Sequence, residues 1–261
     1  MELQTADEVW TRIEALVRAQ PGGVVATDGD GTLWSGDVGE DLFHAFLEQG
    51  RVEVPALEAI RREAREHRLS DAGTGQEVAR RVYDAYREGH FPEERICELM
   101  TWCFAGWTRQ EVQAFARAVV DGGGLAARLH GEVLEVLERA RGEGVETVLV
   151  SASPVAVVVE AAARVGFAAD RVVAAHPRFE GDVMTAEVHR PIPYAGGKVE
   201  RLRERIGPGR TLYAAFGDNA FDVALLASAK VGVAVRPKPR LRLRADEVTG
   251  LVELVAAAAR L

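Results

Sequence analysis

The chain has 261 residues, 48% of them hydrophobic and 28% charged, which suits one large domain or a domain carrying a sizeable insertion. A net charge of −8 argues against nucleic acid as a partner, and no apolar run reaches membrane-spanning length. Met1 to Glu8 is acidic and lacks the basic and apolar regions of a signal peptide, so a cytoplasmic setting is expected, with Cys97 and Cys103 as small buried hydrophobes rather than a disulfide or metal pair.

Thr5 to Gln20 reads as an amphipathic helix, with Val9, Ile13, Leu16 and Val17 at helical spacing. Val24-Val25-Ala26-Thr27 then leads into Asp28-Gly29-Asp30-Gly31-Thr32-Leu33-Trp34, the pattern of a buried parallel strand delivering its C-terminal end to a turn. Ligands of open α/β sheets bind at such ends. Asp28 and Asp30 can converge on one small volume there. Carboxylates that close repel unless a cation sits between them or their pKa values part; a plain acidic turn is the alternative.

From Asp37 to Arg128 the periodicity is helical throughout, as in Leu57-Ile60-Ala64, Val78-Val82-Ala85 and Val112-Phe115-Ala116-Val119. We read residues 37–128 as an all-helical cap domain inserted into an α/β core of residues 1–36 and 129–261. Trp102, Phe104 and Trp107 are expected mostly in the cap's own core, with a pocket wall as the alternative, and Gly122-Gly123-Gly124 is a hinge or a helix C-cap.

Beyond His130, helix and strand alternate: a helix over Glu132–Arg141, strands at Val145–Val150, Val172–Ala175, Thr211–Phe216 and Val231–Val235, and helices over Val155–Val165 and Lys198–Ile206. Phe179 to Met184 reads as a hairpin, Arg236 to Arg244 as a solvated basic loop and helix start, and the C-terminus as an Ala/Leu/Val-rich helix. Alternation of this kind predicts a doubly wound, Rossmann-like parallel sheet.

Ser151, Lys198, Asp218 and Asp222 fall at strand ends or a helix start, as Asp28 does. A hydroxyl and an ammonium can hold phosphoryl oxygens, while Asp28 and Asp218 supply hard oxygen ligands for Mg²⁺. Taken together, Asp28-x-Asp30-x-Thr32, Ser151, Lys198 and Gly217-Asp218-x-x-x-Asp222 resemble, in order, the four motifs of the haloacid dehalogenase superfamily, and most closely its phosphoserine phosphatase-like branch.

The resemblance implies a Mg²⁺-dependent phosphatase of a small phosphate ester. Asp28 would be the nucleophile that forms an aspartyl-phosphate, and Asp30 the acid and base. Asp28, the backbone carbonyl of Asp30 and Asp218 would hold the metal. Asp222 would orient Lys198 or a metal-bound water, and Thr32, Ser151 and the adjoining Ala152 would bind phosphoryl oxygens. Thr32 as a turn stabiliser and Ser151 as a helix cap are the alternatives. An aspartate at position 30 points to a phosphatase or phosphomutase rather than a dehalogenase. Where phosphoserine phosphatases read GDGxND, this chain has Asn219 for the second glycine and Phe221 for the asparagine, which weakens the case for phosphoserine itself.

Asp37, Glu40 and Asp41, with the face of Trp34, suggest an amine-bearing ester such as phosphoserine, phosphoethanolamine or phosphocholine; equally, these acids can cap the following helix. A phosphomutase or phosphotransferase using the same aspartyl-phosphate, and a phosphate-ligand sensor without turnover, are the competing functions. The oligomeric state stays open.

Overall fold

The computed structural model describes residues 1–256. Strand β1 (Glu2–Gln4) precedes α1 (Ala6–Ala19), which starts at a capping box: Thr5 Oγ1 accepts from the Glu8 amide and Glu8 accepts from the Thr5 amide. β2 (Val24–Thr27) follows, buried along its whole length. Five helices come next with no strand between them: α2 (Val38–Gln49), α3 (Val54–Glu66), α4 (Gly75–Arg87), α5 (Glu93–Trp102) and α6 (Arg109–Gly122). The chain then continues through α7 (Gly131–Gly142), β3 (Glu146–Pro154), α8 (Val155–Ala163), β4 (Val172–Ala175), β5 (Pro177–Glu180), β6 (Val183–Val188) and α9 (Gly196–Ile206). β7 (Leu212–Gly217), α10 (Val223–Ala227), β8 (Val231–Val235), α11 (Pro239–Arg242) and β9 (Val252–Leu254) complete it.

Seven strands form one parallel sheet in the order β1-β9-β8-β7-β2-β3-β4, and β5 pairs antiparallel with β6 as the expected hairpin. Helices cover both faces, as the alternating sequence pattern requires for a sheet buried on each side. Period-two alternation divides the core: Val25 joins the hydrophobic cluster beneath α1, α7 and α8, while Val24 and Ala26 join the one beneath α9 and α10. The first cluster runs without a break into the helical segment, through Phe43, Phe46, Phe104 and Trp107. Trp102, Phe104 and Trp107 are at most 4% exposed, so they are core.

Two strands depart from the sequence reading. β1 and β9 pair with each other at the sheet edge, and Val252–Leu254, which was expected in a C-terminal helix, is strand; the rest of that expected helix, residues 257–261, lies outside the described residues. Each of these strands has only three residues, too few for a period-two pattern to stand out. The glycine run ends α6 at Gly122, with Gly124 in a left-handed turn at φ 61°.

Segment 106–109 is bonded along its main chain to the hairpin. The Gly106 amide donates to Met184 O, the Met184 amide to Trp107 O and the Arg109 amide to Asp182 O, each at 2.9 Å.

Candidate active site

β2 lies in the middle of the sheet between β7 and β3, so the three C-terminal ends open on one crevice. The turn after β2 brings Asp28, Asp30 and Thr32; the end of β3 brings Ser151 and Ser153; the end of β7 brings Asp218; and α9 sends Lys198 in from below.

Lys198 is fully buried, and its Nζ bonds Asp28 Oδ1 at 2.6 Å and Asp222 Oδ1 at 2.5 Å. Asp222 is fully spent, since its Oδ2 also accepts from the amides of Asp218 and Asn219 at 3.1 and 2.9 Å. Thr32 Oγ1 donates to Asp28 Oδ2 at 3.3 Å. Burial pushes the Asp28 carboxyl well above its usual range, Lys198 opposes this, and Asp222, Asp218 and Asp30 add to the rise. Burial by itself would depress the Lys198 ammonium; Asp222 and Asp28 more than offset it, and its pKa is raised.

Asp218 is 1% exposed, and its Oδ1 is buried with no hydrogen-bond partner among the described residues. Its pKa is pushed up to about 6, by burial first and then by Asp222, against the pull of Lys238. Asp28, Asp218 and Asp222 each offer an oxygen within 4.8 Å of the others. A bare, buried carboxylate oxygen in a cluster of acids fits a hard divalent cation. Of the three, Asp218 Oδ1 is the oxygen without a donor, Asp28 Oδ2 has only the 3.3 Å contact from Thr32, and both Asp222 oxygens are taken by Lys198 and the main chain. Gly31 makes the close approach possible: at φ 80° it adopts a glycine conformation, and a Cβ there would stand 2.1 Å from Asp218 Oδ2.

Asp30 is held at both oxygens. Oδ1 accepts from Trp34 Nε1 at 2.8 Å and from the Val38 amide at 2.7 Å, and Oδ2 accepts from Ser153 Oγ at 2.8 Å and Ser151 Oγ at 3.3 Å. Its carboxylate is therefore not directed at the Asp28–Asp218–Asp222 cluster. Ser151 caps no helix, since the N-cap of α8 is Pro154 and no side chain caps it; Ser151 also accepts from the Ser153 amide at 3.0 Å. Residues two apart on a strand share a face, which is why Ser151 and Ser153 both reach Asp30 while Ala152 sits between them, half-buried.

Trp34 has no face to offer a cation: it is 0% exposed and packed under Gly29. Asp37 does cap α2, its Oδ1 accepting from the Glu40 amide at 2.9 Å, and burial together with Asp30 raises its pKa. Asp41 instead pairs with Arg128. The helical side of the crevice gives Cys97, expected only as a small buried hydrophobe, a setting among acids. Half-buried Cys97 on α5 feels Asp37, Glu93 and Asp30, which with burial raise its thiol pKa. Tyr194 Oη donates to Glu93 at 3.4 Å and its ring lies 5.3 Å from that of Phe221, whose face lies 5.0 Å from Lys198 Nζ. The departure at position 221 thus places an aromatic face over the buried ammonium. Lys238 was missed: its Nζ bonds Asp218 Oδ2 at 2.8 Å. His130, given no role from sequence, braces the turn, with Nδ1 at 2.8 Å from Thr32 O.

These features define a doubly wound α/β protein with a buried carboxylate–lysine centre at the C-terminal edge of its sheet. The family model for haloacid dehalogenase-like hydrolases matches residues 25–227, and the chain belongs to that family. No curated protein sequence matches it. Among solved structures, it is similar to a protein with unknown function from Bordetella pertussis Tohama I, at 21% identity and TM-score 0.69 over 88% of this chain and 97% of that one. It is also similar to a haloacid dehalogenase family hydrolase from Salmonella enterica subsp. enterica serovar Typhi, at 18% identity and TM-score 0.55 over 90% and 74% of the two chains. A substrate-bound phosphoserine phosphatase complex aligns at 14% identity and TM-score 0.51, over 89% of this chain and 93% of that one. At these identities the likeness is one of fold. Among the described residues no helix is long and apolar enough to cross a membrane.

Proposed function

We propose that the chain is a Mg²⁺-dependent phosphatase that hydrolyses a small-metabolite phosphomonoester through an aspartyl-phosphate on Asp28. The observation that carries this reading is the Asp28–Lys198–Asp222 ion-pair chain beside Asp218, whose bare buried oxygen asks for a cation. Bound Mg²⁺ would supply charge neutralisation between carboxylate and phosphate.

Asp28, kept in place by Lys198 and Thr32, attacks phosphorus with a carboxylate oxygen as the ester P–O bond breaks. Asp30 serves as general acid toward the departing alkoxide, then as general base toward the water that attacks the acyl phosphate, releasing phosphate and restoring Asp28. The Ser151 contact to Asp30, the longest of its four at 3.3 Å, is the one a ligand oxygen would displace. The helical segment 37–128 acts as the cap over this chemistry. Glu93 and Asp37 bring carboxyl groups to the helical side, with the Tyr194 hydroxyl donating to Glu93, and such acceptors support an amine-bearing leaving group.

The test is phosphate release from a panel of small phosphate esters with Mg²⁺, native protein against Asp28→Asn. Release that the substitution and a chelator both abolish is the expected result. Equal release from the variant would overturn the nucleophile, and transfer to an added alcohol in excess of hydrolysis would make the protein a phosphotransferase instead.

A further inference from the structure

We propose that Lys238 is an exchangeable cation of the metal site: its ammonium holds Asp218 while no metal is bound and gives way when a divalent cation takes that carboxylate. The inference rests on the metal reading above.

The two lysines of the site are built differently. Lys198 is 0% exposed and clasped by two carboxylates, with no path to water. The Lys238 side chain is 52% exposed and its ammonium has one ion-pair partner among the described residues, Asp218 Oδ2. Its backbone, by contrast, is fixed. The Lys238 amide donates to Asp218 O at 2.8 Å, Arg236 stands at φ 44° with its guanidinium on Glu132 at 3.0 Å, and Pro237 and Pro239 flank the residue. A fixed backbone beside the site and a half-exposed, flexible side chain let the ammonium reach Asp218 or leave it without disturbing the loop.

Charge decides when it leaves. Without a metal, Asp28, Asp218 and Asp222 are three buried carboxylates against one buried ammonium, and the Lys238 contact reduces that imbalance. A divalent cation on Asp28 and Asp218 neutralises the cluster together with Lys198, and a further ammonium on Asp218 then meets a like charge at close range. The cation would take Asp218 Oδ1 while Lys238 holds Oδ2, so the two occupations are opposed by like charge across one carboxylate rather than by rivalry for one atom. The basic run 236–240, which reads as a solvated loop in sequence, thereby gains a task.

The experiment is calorimetric titration of MgCl₂ into metal-stripped native protein, Lys238→Met, Lys238→Gln and Lys238→Arg at fixed ionic strength. Both neutral variants are expected to bind Mg²⁺ about tenfold more tightly than native, the scale of one charge-assisted hydrogen bond no longer displaced, and Lys238→Arg to stay near native. The melting-temperature rise on adding saturating Mg²⁺ is expected to be larger in the neutral variants. General damage to the site would weaken binding instead. Equal or weaker binding in both neutral variants would overturn the inference alone. Absence of binding in every protein, native included, would overturn it together with the metal reading.

Discussion

Trp34 Nε1 donates to Asp30 Oδ1 at 2.8 Å, so a fully buried indole four residues along the chain holds the second aspartate of its own turn. Trp34→Phe keeps an aromatic ring and removes that donor. It should lower kcat for phosphate release by roughly tenfold and cost about 1–2 kcal/mol of stability, from one lost hydrogen bond and a smaller ring. Ser153→Ala, which removes the 2.8 Å donor at the other oxygen, should lower kcat similarly with a smaller change in melting temperature. Steady-state kinetics beside thermal melts check both; unchanged kcat would detach this network from catalysis.

Lys198→Met leaves Asp28 and Asp222 facing each other in a buried space without their shared cation. Breaking a buried ion pair from one side costs about 3–5 kcal/mol, and denaturant unfolding of the metal-free variant should read a loss of that size. Asp28→Asn keeps an acceptor for the ammonium, so it should unfold close to native while phosphate release falls by at least about a thousandfold.

Gly31→Ala puts a methyl group where Asp218 Oδ2 now lies and a side chain where φ is 80°. The backbone penalty is about 1–3 kcal/mol, and Asp218 must shift. Weaker Mg²⁺ binding by calorimetry, beyond what the stability loss explains, is the expected signature.

Burial lowers the pKa of His130, outweighing the opposing bond to Thr32 O. The native state therefore binds fewer protons at this ring than the unfolded chain does. The stabilising contribution is complete above the unfolded value of 6.5 and is lost as pH falls below it toward the depressed folded value. The His130 contribution should fall from pH 7 toward pH 5, opposite in sign to that of the raised carboxyls of Asp28, Asp37 and Asp218, so the native protein should lose more stability, or gain less, over this window than His130→Gln in urea titrations at each pH.

Glu98 is buried on α5 and accepts from Arg95 and, at 2.6 Å, from Arg190 just past β6. Glu98→Ala strips both guanidinium groups of a partner, and a loss of about 2–3 kcal/mol on denaturant unfolding is expected because both arginines remain partly exposed.

The parts of this site legible in sequence were those fixed by local pattern. Val24 to Thr27 reads as a buried strand because each residue is apolar or β-branched, and the Asp-Gly-Asp-Gly turn follows directly. The carboxylates of Asp28, Asp218 and Asp222 do meet around Lys198, as their positions at strand ends and a helix start imply. What escaped were contacts set by neighbours distant in the chain. Lys238 reaches Asp218 only because β8 lies beside β7, and no periodicity encodes that adjacency. Cys97 looks like any core cysteine until α5 is laid over the crevice. Trp34 failed as a cation platform for the opposite reason: its exposure depends on how the turn folds back, and the turn covers it.

The main-chain bonds joining segment 106–109 to the β5–β6 hairpin bear on how such a crevice could admit a ligand. Helices swinging away by themselves would have to rupture that seam, so the moving body in any opening is the five helices with the hairpin attached. That body is tethered to the sheet by the two ends of the helical segment and the two ends of the hairpin. Any opening of the crevice would therefore have to carry the five helices and the hairpin together, like a hatch on paired hinges rather than a flag on one stalk.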